Sequence, residues 1–169
     1  MNRRSILTVS VMTALGLAVP SGYALGQTPK DLVGTWTWIS VDIIRADGTK
    51  TQPFGANPKG YVIFDSNGRF AYLLTRPDRP KFAANNRDQG TPEENKASVV
   101  GVLDYSGRYS VSDGGKTLIF HIEASSYPNA EGVDQKRSIT LTEDELKWTN
   151  PAPTVAGGGT GHTVLRRVK

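Results

Sequence analysis

Residues 30–44 read KDLVGTWTWISVDII, a glycine followed by two tryptophans two positions apart on a run of alternating character. Alternation with period two, in a segment rich in β-branched and aromatic residues, marks a half-buried strand. Trp36 and Trp38 therefore fall on one face, and two of the three tryptophans in the chain share a single strand. What that strand helps to enclose decides the fold.

Further strand-like runs lie near 60–65, 69–75, 105–112, 116–126, 136–142, 145–150 and 162–168, with one more near 49–54. Turn signals separate them at Ala46-Asp47-Gly48, Ser66-Asn67-Gly68, Asp113-Gly114-Gly115 and Glu143-Asp144-Glu145. Eight strands, or nine, joined by short turns indicate an all-β antiparallel barrel or sandwich. One helix interrupts them. Thr91-Pro92-Glu93-Glu94 offers an N-cap threonine, proline at the first helical position and glutamate at N3, so a short helix should run over 92–101. Residues 76–90 before it read as a long loop over one end of the molecule. The glycine run 157–159 precedes a strand and no helix, so it reads as a plain loop, not a phosphate cradle.

Hairpin arithmetic sorts the faces. A two- or four-residue loop at Asn67-Gly68 places Tyr61, Ile63, Phe70, Tyr72 and Leu74 on one side. Arg69 falls in the opposite set, which makes the first set the better interior. The same arithmetic groups Tyr105, Tyr109 and Val111 with Leu118, Phe120 and Ile122. It also groups Arg137, Ile139 and Leu141 with Leu146, Trp148 and Asn150. These sets are apolar at the strand centres and gain polar groups toward one end.

Asn2, Arg3 and Arg4, the apolar stretch 6–19 and small residues around Ala24-Leu25-Gly26 describe a secretory signal peptide. Arg3-Arg4-Ser5-Ile6-Leu7 also resembles a twin-arginine signal. The apolar stretch is shorter than the roughly 20 residues a membrane span needs. Cleavage is expected after Gly26, with Ala24 as the alternative, leaving a single domain over 27–169 in the periplasm or outside the cell. The leader carries two arginines and no acid, so the formal charge of +4 becomes +2. No basic cluster suggests nucleic acid. The chain has no cysteine, hence no disulfide and no lipid-bearing cysteine.

Gly34-Thr35-Trp36 at the head of the first strand, with the stretches LVGTWTWISVDIIRADGTKTQPFG, NPKGYVIFDSNGRF, GTPEENKA and DQKRSITLTEDELKWTNP, resembles the lipocalin-like domain family of bacteria and fungi. The resemblance covers nearly all of residues 27–169. It implies an up-and-down, calycin-type barrel with a cup-shaped interior. It also implies a closed end where Trp36, behind Gly34, is covered by a basic residue of the last strand, Arg166 or Arg167. Period two then sends Trp38, Ser40 and Asp42 up the cup wall. Two departures stand out: no disulfide pins the ends, and the helix lies between strands instead of after the last one.

The expected ligand is a small hydrophobic or amphipathic molecule, with no cofactor and no metal. Its wall would be Trp38, Ser40, Tyr61, Tyr72, Tyr105, Tyr109, Phe120 and Trp148, and its polar rim Arg76, Arg137 and Asn150. The rim could hold a carboxylate or phenolate. Two other readings use the same barrel: an isomerase or cyclase acting on a small metabolite, or a filled barrel that engages a partner through its outer face. His121 and Glu123 form a His-x-Glu pair, but zinc deaminases that use this pattern add cysteine ligands that are missing here. The register places both outward, opposite Ser106 and Asp104.

Overall fold

The computed structural model describes residues 27–169, and the expected leader lies outside the described residues. Nine strands form one antiparallel sheet: β1 (Gly34–Ile44), β2 (Lys50–Thr51), β3 (Lys59–Phe64), β4 (Arg69–Thr75), β5 (Val102–Ser112), β6 (Thr117–Ser125), β7 (Asp134–Leu141), β8 (Glu145–Asn150) and β9 (Thr160–Arg167). Each long strand pairs with its neighbours in sequence, and β1 pairs with β9, which closes an eight-stranded barrel. β2 is a two-residue addition on the far end of β1. Closure leaves none of the eight long strands as a free edge.

The connections alternate between two ends. Those at 65–68, 113–116 and 142–144 are short and gather at one end, the floor. Those at 45–58, 76–101, 126–133 and 151–159 are long and gather at the mouth. α2 (Pro92–Val100) sits in the second long connection, and its capping box forms as expected. Thr91 Oγ1 accepts from the Glu94 N–H at 3.2 Å, while Glu94 accepts from the Thr91 N–H at 2.9 Å. Glu94 also accepts from the Ala83 N–H, and these backbone donors hold its carboxyl below the ordinary range.

A second, four-residue turn of helix, α1 (Pro29–Leu32), precedes β1 and carries the same proline at N1 and an acid at N3. It lays Leu32 across the floor, fully buried. Trp36 is equally buried and donates its indole N–H to the Leu32 carbonyl at 2.8 Å. The Arg167 guanidinium lies 4.1 Å from the Trp36 ring centroid and donates to the carbonyls of Val33, Asp31 and Glu143 at 2.7, 2.7 and 2.8 Å. Arg167, not Arg166, is therefore the cover. Arg166 is exposed, because period two turns it outward between its β1 and β8 partners, Thr37 and Glu145. Gly34 explains the motif: its φ is +132°, and a Cβ there would lie 3.0 Å from Arg167 Nη1.

Three register features differ from the sequence expectation. The β3–β4 hairpin pairs Val62 with Tyr72 and Phe64 with Phe70. Its loop has three residues, Ser66 to Gly68, with Gly68 left-handed at φ +80° and Asp65 bonded to Arg69. The odd loop length turns Val62 and Phe64 inward and leaves Tyr61 and Ile63 outside. In β1 a bulge between Trp38 and Ser40 switches the inward positions from 36 and 38 to 41 and 43. Ser40 and Asp42 consequently leave the cup. Asp42 pairs with Lys50 at 3.0 Å on the surface. The β7–β8 register is the expected one, with Ile139 opposite Trp148, whereas β5 and β6 keep the expected inward sets but pair two residues away, with Tyr109 opposite Phe120 and a bulge at Ser106/Gly107.

The inward side chains make one core, and its centre is a stack of aromatic rings. Phe120 lies 6.0 Å from Phe64, 4.6 Å from Phe70 and 5.9 Å from Trp148, ring centre to ring centre. Gly60 lies on the inward side at φ +108°, where a Cβ would stand 2.2 Å from the Leu73 carbonyl oxygen. That same oxygen accepts the Trp38 indole N–H at 2.8 Å. Gly60→Ala should therefore destabilise the barrel by about 2–3 kcal/mol through overpacking and backbone strain. Urea unfolding would show this as a lower midpoint, and an unchanged midpoint would contradict the close approach.

Candidate functional site

Above the aromatic stack the cup narrows to a cavity of about 40 Å³, room for one or two water molecules. β4 contributes Tyr72 and Leu74 to its wall, β5 Leu103 and Tyr105, β7 Gln135 and Arg137, and β8 Trp148 and Asn150. β1 and β9 complete it with Val41, Ile43, Gly161 and Thr163. Two mouth segments close the top. Phe54, from the connection after β2, points down into the cup and is 1% exposed. Residues 152–155 cross from β8 to β9, and Val155 packs on the core. The cup is therefore a cup with its stopper in.

The site's charge sits on one residue. Arg137 is 5% exposed and is the one charged side chain in the buried set among the described residues. It forms no ion pair there. Its guanidinium donates to the Lys136 carbonyl at 3.0 Å and to Gln135 Oε1, and stands 6.0 Å from the Phe120 ring centre. A buried guanidinium without an acid bears a desolvation cost that hydrogen bonds and a ring face offset only in part.

Tyr72 and Tyr105 stack on the same wall at 4.3 Å between ring centres. Burial pushes both phenols above their ordinary pKa, and the Arg137 charge counters this in part. A raised folded pKa means the stability linked to each phenol is intact below the unfolded value and is lost as pH rises toward the folded one. At neutral pH both are uncharged hydrogen-bond donors. Asn150 adds another donor: its Oδ1 accepts from the Ala152 N–H at 3.1 Å, which leaves its NH₂ group free of that bond.

The remaining expected wall residues fall elsewhere. Trp38 points inward but sits one layer below the cavity, 4.8 Å from Tyr72 and 5.8 Å from Trp148. Phe120 lies in the central stack. Tyr109 belongs to the floor, where its hydroxyl is 2.9 Å from the Asp65 carbonyl and 3.2 Å from that of Pro29. Tyr61 and Ser40 are on the outside for the register reasons given above. Arg76 stands beyond the end of β4 and holds Asp78 with two hydrogen bonds of 2.9 and 2.7 Å, so it is not part of the rim.

His121 and Glu123 face outward, as expected. His121 lies opposite Arg108, not Ser106, and pairs with Asp134. Glu123 accepts from Arg69 at 3.0 Å and Arg108 at 3.2 Å, and these cations hold its carboxyl below the ordinary range. Among the described residues no group of three or more His, Cys, Asp or Glu side chains is placed to hold a metal ion, and no helix is long and apolar enough to cross a membrane.

Sequence comparison finds a relative of partial length. The 4'-hydroxy-3'-methoxypropiophenone carrier protein of Aspergillus oryzae is 34% identical over 91 residues, which span 50% of this chain and 82% of that protein. Among solved structures, a lipocalin-like protein from Bacteroides uniformis aligns at TM-score 0.43 and 16% identity, over 82% of this chain and 99% of that one. An uncharacterized protein from Bacteroides eggerthii aligns at TM-score 0.42 and 14% identity, over 81% and 99%. The pattern of the lipocalin-like domain matches residues 33–166, from the residue before Gly34 to the penultimate residue of β9. The chain belongs to the lipocalin-like domain family.

Proposed function

We propose that the protein is an exported carrier of a small aromatic molecule, held in the cup with a polar group on Arg137. The observation that carries this reading is Arg137 itself: a buried guanidinium on the cup wall with no acidic partner among the described residues. Buried charges are ordinarily paired, so an unpaired one beside a cavity suits a ligand that supplies the missing partner. Tyr72, Tyr105 and Trp148 give the aromatic surroundings. The Aspergillus relative, by its name, carries a phenolic aryl ketone, a molecule of the same chemical type. The leader-like residues 1–26 support export to the periplasm or beyond, which fractionation of the native cell would test.

Such a ligand exceeds 40 Å³, so the stopper must move. Residues 157–159 are three consecutive glycines at positive φ, a natural hinge for the 151–159 segment. Arg45 holds the segment down by donating to the Ala156 carbonyl at 2.8 Å. Arg45→Ala should raise the association rate several-fold and leave the unfolding midpoint almost unchanged, because the bond is exposed. Stopped-flow quenching of Trp148 fluorescence reads the rate, and an unchanged rate would place the entry route elsewhere.

The test of the carrier reading is equilibrium binding of 4'-hydroxy-3'-methoxypropiophenone, followed by the same fluorescence. Saturable quenching that Arg137→Met weakens by about 30-fold or more supports it. No quenching in the native protein overturns it. The tight cup favours one rival, a filled barrel acting through its outer face, where Tyr61, Ile63 and Leu73 are partly exposed. That rival leaves the buried charge unexplained. Among the described residues Arg137 is the one charged side chain lining the cup and both tyrosines are held neutral, so nothing on the wall favours the isomerase or cyclase reading.

A further inference from the structure

The cup is rich in hydrogen-bond donors, and its free side-chain acceptors are hydroxyls alone. Arg137 brings five N–H groups, of which two positions are used by Lys136 and Gln135. The Tyr72 and Tyr105 hydroxyls and the Asn150 amide add more. The two amide oxygens are already engaged. Gln135 Oε1 is taken by Arg137 and Asn150 Oδ1 by Ala152, so the other side-chain acceptors on the wall are the hydroxyl oxygens of Tyr72, Tyr105, Thr154 and Thr163, each of which is also a donor. No aspartate or glutamate lines the cavity among the described residues. An oxygen that only accepts and carries a negative charge suits this set best, whereas a neutral phenol or carboxylic acid can place its O–H on a wall hydroxyl but leaves the Arg137 guanidinium without a counter-charge.

We propose that the cup takes its ligand as an anion, and that its ligand class is the aromatic weak acid, such as a phenol acidified by a conjugated acyl group, which loses its proton to water on binding. The inference rests on the carrier reading and sharpens it from a shape to a charge state. Two effects oppose each other in the cup. Burial disfavours the anion, while a fixed cation within hydrogen-bond range lowers an acid's pKa by about 1–3 units. Here the cation is already desolvated in the empty protein, so the ligand's charge relieves an existing cost and the lowering wins.

The pH dependence then comes from the ligand. The groups facing Arg137 are Tyr72 from β4, Tyr105 from β5, Phe120 from β6, its strand neighbour Gln135, and Trp148 and Asn150 from β8. Only the two tyrosines ionise, and both are shifted upward, away from neutrality. Affinity should be flat above the free ligand's pKa. It should fall tenfold per pH unit between that value and the lowered value in the complex, and be flat again below.

4-Nitrophenol is a suitable probe, because its phenolate absorbs at longer wavelength than the phenol, and 4-nitroanisole is its non-ionisable match. One pH unit below the probe's free pKa, adding the native protein should raise the phenolate band, with the bound pKa lowered by at least one unit. That is a tenfold or greater preference for the anion. Arg137→Lys should keep part of the shift and Arg137→Met should abolish it. If both probes quench tryptophan fluorescence with equal affinity and no phenolate band grows, the charge-state inference fails and the carrier reading survives. A full band in Arg137→Met would also overturn the inference. If neither probe binds the native protein, both fall together.

Discussion

Trp36→Ala should lower the stability of the barrel by about 3–5 kcal/mol, the range for deleting a large buried aromatic side chain, and the melting temperature by roughly 10–15 °C. The size follows from what the ring does. It is fully buried, its N–H satisfies the Leu32 carbonyl, and its face carries the Arg167 guanidinium. Alanine leaves a cavity, an unpaired carbonyl and a cation without its platform. Arg167→Met should cost about 2–3 kcal/mol, since three carbonyl hydrogen bonds and a cation–π contact go together. Arg167→Lys should rescue little, because an ammonium cannot reach three carbonyls arranged for a planar fork. The two losses should add to less than their sum in a double-mutant cycle, as neighbours in contact do. Thermal unfolding of the four proteins measures this, and strict additivity would deny that ring and guanidinium act as one unit. Ligand affinity at the mouth should change little, because the floor lies at the other end of the barrel.

Arg137→Met should do the reverse. It exchanges a buried, unpaired cation for an apolar side chain of similar reach, which removes a desolvation cost. Gln135 sits on a half-buried position, so its freed side-chain amide can turn to water. Stability should rise by about 1–3 kcal/mol, in line with the gain when buried charges are replaced by apolar groups. Binding of an acidic arene should weaken by about 2–4 kcal/mol, roughly 30- to 1,000-fold, as the charged anchor is lost. A residue whose removal stabilises the fold while weakening binding is one retained for function. Urea unfolding and fluorescence titration on the same protein read both halves. A variant that is less stable and binds unchanged would make Arg137 a structural residue.

How much of this the sequence carried depends on parity. Even hairpin offsets send Tyr109 and Phe120, and Ile139 and Trp148, to the inner face, and the structure agrees, although β5 and β6 pair two residues away from the expected register. The Asp65–Arg69 turn has an odd loop, and Asn67-Gly68 fits a two-residue or a three-residue turn equally well. Tyr61 and Ile63 are as apolar as Val62 and Phe64, so composition could not choose between the faces. The bulge in β1 did leave a trace: the apolar positions run 36 and 38, then 41 and 43, and that switch is the signature of one extra residue. α1 was also readable, since Thr28-Pro29-Lys30-Asp31 repeats the proline and acid spacing of Thr91-Pro92-Glu93-Glu94. The stopper was harder. Phe54 and Val155 come from turn-like segments with no period, and a lone Phe between Pro53 and Gly55 is the only hint that the segment folds inward. Arg137 was placed on the inner face from the hairpin arithmetic alone. That its charge stays unpaired depends on which acids the long connections bring to the mouth, and no local pattern fixes that.

The question raised by the two tryptophans has a layered answer. Trp36 closes the floor beneath Arg167. Trp38 bonds the Leu73 carbonyl and supports Tyr72 and Trp148 from below, one layer under the space a ligand would enter. The most direct measurement is a crystal structure of the protein with 4'-hydroxy-3'-methoxypropiophenone. The expected result is the ligand's phenolic oxygen within hydrogen-bond distance of Arg137, its ring against Tyr105 and Trp148, and Phe54 or residues 152–155 displaced. A ligand seated on the outer face, with the cup closed and Arg137 still bonded only to Gln135 and Lys136, would contradict it.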